Sequence, residues 1–366
     1  MAVTTTAIVL AAGGGTRMRS QRPKPLHRLC GRPMVLHVIE ALADLAVERT
    51  VVVVGHGAPA VEKRLTEDAP PWARVTFAEQ AEQRGTGHAA MIGLDALEAF
   101  DDTTTVPEDQ DTVVVMPGDT PLLTADTVAG LVARHQAMGW AATVLTARPP
   151  DPTGYGRIVR ARDGRVVRIV EQRDASPEQL RIDEINTGIV AVRRNLLGPA
   201  LRRTSPDNAQ SEYYLTDVIE VLAAMGHQVG AVEAEFDETA GVNDRAQLAA
   251  AEAVLRRRIN RHWMLNGVTL VDPEHTYLDV TVRLGRDTTV YPGSVLAGTT
   301  AVGDGCVIGP NTQLVDCVVE AGARVIHSVA QASVIGSDAR VGPFAWLPPG
   351  TQVTSGAEVP PFYTAP

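Results

Sequence analysis

An apolar run, Ala7-Ile8-Val9-Leu10, leads straight into Ala11-Ala12-Gly13-Gly14-Gly15-Thr16-Arg17-Met18. Three glycines after a buried strand let the backbone turn sharply and present N–H groups to an anion. Arg17 closes this loop, and Pro23-Lys24-Pro25 follows shortly after. A guanidinium and an ammonium bracketing a glycine-rich turn suit a polyphosphate better than a neutral ligand. The glycine spacing fits neither GxGxxG nor GxxxxGK(S/T), which excludes a dinucleotide fingerprint and a Walker loop. Farther along, Asp119 stands just beyond a second apolar run, Thr112-Val113-Val114-Val115-Met116, where open α/β sheets receive ligands. A lone Asp at such a place also serves as a turn or cap residue. The sequence offers no good Ser/His/Asp triad.

Such residues need a frame. Up to about residue 245, short β-branched runs such as Thr50-Val51-Val52-Val53-Val54 alternate with helical patterns such as Met34 to Leu45. Continuous apolar strands alternating with helices imply βαβ units, hence an α/β domain over 1–245 whose mixed sheet is mainly parallel and covered on both faces. From Ala246 to Trp263 the chain is rich in Ala, Leu and Arg and lacks Gly and Pro. This predicts a connecting helix across 246–265.

After Asn266-Gly267 aliphatic residues recur six apart at Leu284, Val290, Leu296, Val302, Ile308 and Leu314. The count slips, then resumes at Val319 and Val325 and again at Ile335, Val341, Leu347, Val353 and Val359. Small or β-branched residues stand four positions after each, among them Thr288, Cys306, Val318 and Val329. This hexapeptide pattern predicts a β-helix of about four coils over 266–366, with tight corners that demand small side chains. Cys306 falls on an inward position, where a thiol is inert packing.

Composition narrows the function classes. Against 33 Lys+Arg stand 43 Asp+Glu, a net charge of −10 that argues against a nucleic-acid or anionic-membrane surface. Three scattered cysteines make neither a disulfide framework nor a CxxC metal site and point to a reducing, cytoplasmic setting. No apolar run is long enough to span a membrane.

The loop Leu10 to Met18 with Pro23-Lys24 resembles the signature of sugar-1-phosphate nucleotidyltransferases. More narrowly, the chain resembles the bifunctional N-acetylglucosamine-1-phosphate uridyltransferase/glucosamine-1-phosphate acetyltransferase family. Further motifs carry the likeness: Glu82-Gln83-Arg84-Gly85-Thr86-Gly87-His88-Ala89, Gly118-Asp119-Thr120-Pro121-Leu122, Thr153-Gly154-Tyr155-Gly156-Arg157-Ile158, Ile169-Val170-Glu171, Glu184-Ile185-Asn186-Thr187-Gly188, Asn208 to Asp217, and Gly241-Val242-Asn243-Asp244-Arg245. The resemblance implies a Rossmann-like nucleotidyltransferase domain followed by a left-handed parallel β-helix. It also implies roles. Leu10, Ala11, Ala12 and Gly13, with Gln80 or Gln83, Gly85 and Thr86, would hold the nucleotide. Gly156, Glu171, Asn186, Tyr214 and Thr216 would form the sugar pocket. Asp119 and Asn243 would hold Mg²⁺, whose preference is oxygen ligands together with phosphates. Arg17 and Lys24 would act on the phosphates, and His88 reads as structural. The implied reaction joins UTP and a sugar 1-phosphate, in a homotrimer assembled through the β-helix. The same residues also admit a different sugar phosphate or nucleotide, or a non-catalytic sugar-nucleotide-binding subunit.

Two departures stand out. Pro117 precedes Gly118-Asp119 where relatives commonly carry Tyr or Ser, removing a hydroxyl and a backbone donor. Bifunctional relatives continue for roughly another hundred residues beyond the point where this sequence ends, at Pro366, and Pro348 replaces an Arg of the family pattern. On this basis the sequence predicts no acetyltransferase activity.

Overall fold

The computed structural model describes residues 4–100 and 111–364. Two compact units emerge, Met1–His27 with Pro33–Leu248, and Arg28–Arg32 with Ala249–Pro366.

The first unit is built on one mixed sheet. Its strands are β1 (Thr5–Leu10), β2 (Arg49–Val54), β3 (Val75–Glu79), β4 (Thr112–Pro117), β5 (Ala142–Ala147), β6 (Arg157–Arg160), β7 (Val166–Val170), β8 (Ile185–Arg193) and β9 (Val229–Glu233). They lie in the order β9-β5-β8-β4-β1-β2-β3, with β6 and β7 attached as a hairpin beside β8. Every pair along this path is parallel except those of β8, which runs antiparallel to both β4 and β5.

Alternation along each strand sends its side chains to two separate cores. Ala7, Val9, Val52, Val54, Val114 and Met116 pack under α1 (Met34–Glu40), α2 (Ala58–Asp68) and α4 (Ala125–Met138). Ile8, Val51, Val53, Val113 and Val115 pack under α3 (Thr86–Phe100), α5 (Arg194–Leu201) and α6 (Asp217–Ala224). Both faces are covered, which is why these strands are valine runs rather than polar/apolar alternations. Contact is close: a Cβ on Gly93 of α3 would stand 2.5 Å from Ile8 Cγ2.

The helix α7 (Arg245–Leu265) carries the chain from the first unit into the second. There, strands of two or three residues stack in parallel on three faces, giving the left-handed β-helix. Each face turns one aliphatic row inward: Leu270, Val290, Ile308, Val325 and Val341; Leu278, Leu296, Leu314, Ala330 and Leu347; Leu284, Val302, Val319, Ile335 and Val353. Among the described residues one face has six strands and the others five, so the solenoid is longer than the four coils expected. It begins at Leu270 and Leu278, both ahead of the hexapeptide count: Leu278 lies six before Leu284 and was within its reach, whereas Leu270, eight before Leu278, falls off the period. A second correction concerns the corners. Val318 and Val329 are exposed, and Cys317 and Ser328 take the inward small-residue positions. The corners after Leu314, Val325 and Ala330 are one residue shorter than the six-residue spacing, so the inward position moves forward by one, to Cys317, Ser328 and Ser333.

All three cysteines are free and buried. Burial, with Glu252 and Asp279 nearby, pushes the Cys30 thiol up to about 12. Among the described residues no helix is long and apolar enough to cross a membrane.

Candidate active site

β1 lies at the point where the chain order reverses, with β2 on one side and β4 on the other. In open α/β sheets this switch point is the ligand crevice. The two central strands end together, Leu10 beside Pro117, and Gly118 N–H donates to Leu10 O at 2.8 Å. The glycine loop leaves from this edge. Gly15 adopts φ +58°, and a Cβ there would stand 2.6 Å from Lys24 Cβ, so Lys24 folds back over the loop. A Cβ on Gly13 would meet nothing within 4 Å.

Beneath the loop opens a cavity of about 400 Å³. Of the residues singled out in the sequence, Leu10, Ala11, Ala12, Gly13, Lys24, Gln80, Gln83, Gly85, Thr86, Asp119, Glu171, Asn186 and Thr216 line it. Arg17 and Asn243 stand outside that lining and join it through Lys24. The Lys24 ammonium donates to Asp119 Oδ2 at 2.5 Å and to Asn243 Oδ1 at 2.9 Å. Arg17 Nη2 donates to the same Asn243 oxygen at 3.0 Å. The loop bearing Asn243 is fixed by Val242 N–H donating to Asp119 O at 2.8 Å. Two oxygens from distant parts of the sequence therefore converge on one cation.

On the opposite side, β8 carries Asn186. The register of β8 against β5 shifts between Asn186 and Val190, and Gly188 adopts φ +81° within that irregularity. Such a bulge re-aims a side chain at a strand's end. Asn186 Oδ1 accepts from Gly188 N–H at 3.1 Å. Glu171 follows directly after β7 and accepts from Thr216 Oγ1 at 3.1 Å. Burial raises the Glu171 carboxyl above its ordinary range, the Thr216 hydrogen bond works against that, and Asp174 adds to it. Gly156 lies under this carboxylate, since a Cβ there would be 3.4 Å from both oxygens, and its carbonyl accepts from Asn186 N–H at 2.9 Å.

The two glutamines differ. Gln80 is buried, donating Nε2 to Gly85 O at 3.1 Å and meeting His88 Nδ1 at 3.1 Å, so much of its amide holds the loop together. Gln83 is exposed and braces the glycine loop through Nε2 to Ala12 O at 2.9 Å. Tyr214 does not line the cavity. Its ring lies in a neighbouring one of about 500 Å³ beside Asp174, Asp217 and Glu220, with its Oη buried and without a hydrogen-bond partner among the described residues. In the segment leading into α6, Tyr214 faces the neighbouring cavity while Thr216, two residues on, faces Glu171.

Sequence reading missed Glu212 and an apolar floor of Val144, Ile169, Val190, Leu215 and Ile219. Glu212 lies inside a motif already noted and was within reach. Ile169 and Leu215 also lie in noted motifs, but Val144, Val190 and Ile219 look like any other core positions, and nothing in their spacing marks them.

An anion loop and two cationic side chains at a switch point, with a cavity behind them, define a nucleotide-handling transferase. A MobA-like NTP transferase domain model matches residues 7–180. The chain belongs to the GlmU bifunctional protein family. It is 46% identical over 348 residues to the Bifunctional protein GlmU of Geobacillus sp. (strain WCH70), covering 95% of this chain and 72% of that one. Against the proteins of the same name from Streptomyces avermitilis and Streptomyces coelicolor it is 49% identical, over 354 and 360 residues, with 96% and 98% of this chain and 71% and 72% of theirs covered. The enzyme is thus a sugar-1-phosphate nucleotidyltransferase. These alignments carry through the β-helix, so the expectation that acetyl transfer is absent has no support.

Proposed function

We propose that this chain forms UDP-N-acetylglucosamine and pyrophosphate from UTP and N-acetylglucosamine 1-phosphate. The observation that carries the reading is the convergence of Lys24, Arg17, Asp119 and Asn243 at the mouth of a cavity whose far side presents Glu171 and Asn186. The glycine loop and the 83–86 segment would cradle the nucleotide. Glu171, accepting, and Asn186, serving both polarities, suit sugar hydroxyls.

The reaction is in-line attack by a sugar-phosphate oxygen on the α-phosphorus of UTP, with pyrophosphate leaving. That oxygen is already anionic near neutral pH, so no general base is required, and catalysis reduces to positioning and charge neutralisation. Lys24 would exchange the Asp119 carboxylate for phosphate oxygens, and Arg17, on the loop itself, would meet the departing pyrophosphate. Asp119 and Asn243 fit a divalent cation because their oxygens already converge on one positive charge. They would hold Mg²⁺, which when bound supplies further neutralisation at the phosphates.

Pro117 favours a second reading, a same-mechanism enzyme for another sugar phosphate or nucleotide. It lines the cavity but offers only its carbonyl, which accepts from Thr120 Oγ1 at 3.2 Å. The reading also extends to a cytoplasmic homotrimer joined through the β-helix, to which the free, buried thiols and the exposed Val318, Val329 and Trp346 lend support.

The test is pyrophosphate release with Mg²⁺, crossing five nucleoside triphosphates against N-acetylglucosamine, glucosamine and glucose 1-phosphates. A dominant signal for UTP with N-acetylglucosamine 1-phosphate is expected. Preference for another pair would favour the Pro117 reading, and silence from a folded protein would leave only a binding subunit.

A further inference from the structure

Two segments distant in sequence line the cavity side by side, 83–87 leading into α3 and 212–216 leading into α6. Main-chain bonds lock them together: Tyr213 N–H donates to Arg84 O at 2.9 Å and Gly87 N–H to Tyr213 O at 2.7 Å. The Arg84 guanidinium lies 5.5 Å from the Tyr213 ring centroid. There is no slack between them, since a Cβ on Gly85 would stand 2.5 Å from Tyr213 O. Side chains continue the connection. Thr86 Oγ1 accepts from Leu215 N–H at 3.0 Å, and the next residue, Thr216, donates Oγ1 to Glu171 Oε1 at 3.1 Å. An unbroken path thus runs from the nucleotide-side loop to the sugar-side carboxylate.

We propose that Thr86 is a positioning residue whose hydroxyl, through Leu215 and Thr216, sets the orientation of Glu171, so that seating the nucleotide prepares the sugar site. This rests on the substrate assignment proposed above. The physical argument has two parts. Glu171 is half-buried in the cavity wall, and the hydroxyl that fixes one of its oxygens also fixes where the other points. Thr216 can hold that position only if the preceding Leu215 N–H is held, and Thr86 Oγ1 is its acceptor. A nucleotide pressed against Gly85-Thr86 restricts that acceptor, and restriction at one end lowers the cost of ordering the other. By linkage the coupling is reciprocal.

The experiment is isothermal titration of the full chain with N-acetylglucosamine 1-phosphate, with and without Mg²⁺ and α,β-methylene-UTP. That analogue blocks turnover because a carbon–phosphorus bond stands where cleavage must occur. In the parent, the analogue is expected to tighten sugar-phosphate binding about fivefold or more. Thr86→Val should cut this to under about twofold, Thr86→Ser should restore it, and Thr216→Val should act like Thr86→Val from the other end. Circular dichroism checks that each variant is folded. No tightening in the parent, or tightening that survives Thr86→Val, would overturn the relay. So would a Thr86→Val variant that loses affinity for the analogue alone. A parent that shows the coupling yet releases no pyrophosphate from UTP would sink the functional reading while leaving the relay standing. A folded parent that binds neither ligand would sink both.

Discussion

Gly13 and Gly15 are two residues apart and do different jobs. Gly15 sits at φ +58° against Lys24 Cβ, so its lack of a side chain is a requirement of the fold. Gly13 has no such excuse: the space its Cβ would fill is empty, and it lines the cavity. A glycine with room to spare beside an anion loop points to a ligand that needs the room. Gly13→Ala should therefore leave the melting temperature within experimental error of the parent while raising the KM for UTP about tenfold or more. An unchanged KM would show that the nucleotide does not pass over Gly13. Asp119 makes the complementary case. Its carboxylate and the Asn243 amide oxygen share one cation, and the Lys24 side chain that fills the place is only 12% exposed. Asp119→Asn keeps the shape and removes the charge, and kcat should fall about 100- to 1,000-fold. The Mg²⁺ concentration for half-maximal rate should rise alongside it. A chelator should silence the parent and added Mg²⁺ restore it. A variant with normal Mg²⁺ dependence would take Asp119 out of the cation site.

The helix α6 opens with Asp217, which a helix N-terminus ordinarily favours. Here burial, together with Glu220, Glu171 and Asp174, raises its carboxyl to about 6. The folded state then holds this proton more tightly than the unfolded chain, so stability falls as pH rises from about 4 to about 6 and the full cost remains above that. Asp217→Asn should stabilise the protein at pH 7.5 by ~1 kcal/mol after allowing for solvent screening, and by nothing below pH 4. Equal melting temperatures for parent and variant at pH 7.5 would show that the charge is compensated. Helices and strands such as α1 and β2 were plain in the sequence because a valine run or a 3.6-residue period reports a buried face directly. The reversed direction of β8 was not, since an antiparallel strand buried on both sides has the same composition as a parallel one. The shortened corners showed only as slips in the count, and which residue turned inward within them, Cys317 and Ser328 rather than Val318 and Val329, could not be read from the aliphatic rows. The cation cluster was legible only as separate motifs. Lys24 lies 95 residues from Asp119 and 219 from Asn243, and only the sheet order brings them within one hydrogen bond of each other.

For the whole molecule, the question is what covers the outside of the β-helix. Val318 is 47% exposed, and on the adjacent face Val329 and Trp346 are paired in register at 37% and 38%. Val329 and Trp346 in neighbouring rungs present an exposed apolar pair, with Val318 on the next face, and the proposed trimer would cover it. Against association stands the net charge of −10 on each chain, which makes copies repel at low salt. Apolar burial is insensitive to screening and the repulsion is not, so the balance shifts toward assembly as salt rises toward 0.15 M and beyond, where the Debye length falls to about 8 Å or less. Light scattering should accordingly give three times the 38.9 kDa chain mass at moderate salt, with dissociation favoured on dilution into low salt. Val329→Glu combined with Trp346→Glu should return the single-chain mass at every salt concentration, because it adds charge where burial is required. The double variant also separates assembly from chemistry: the cation cluster and the cavity both lie within the first unit, so the kcat per chain should stay within about twofold of the parent. A parent that scatters as one chain in high salt would remove the trimer from the reading and leave the exposed pair to be explained by another partner.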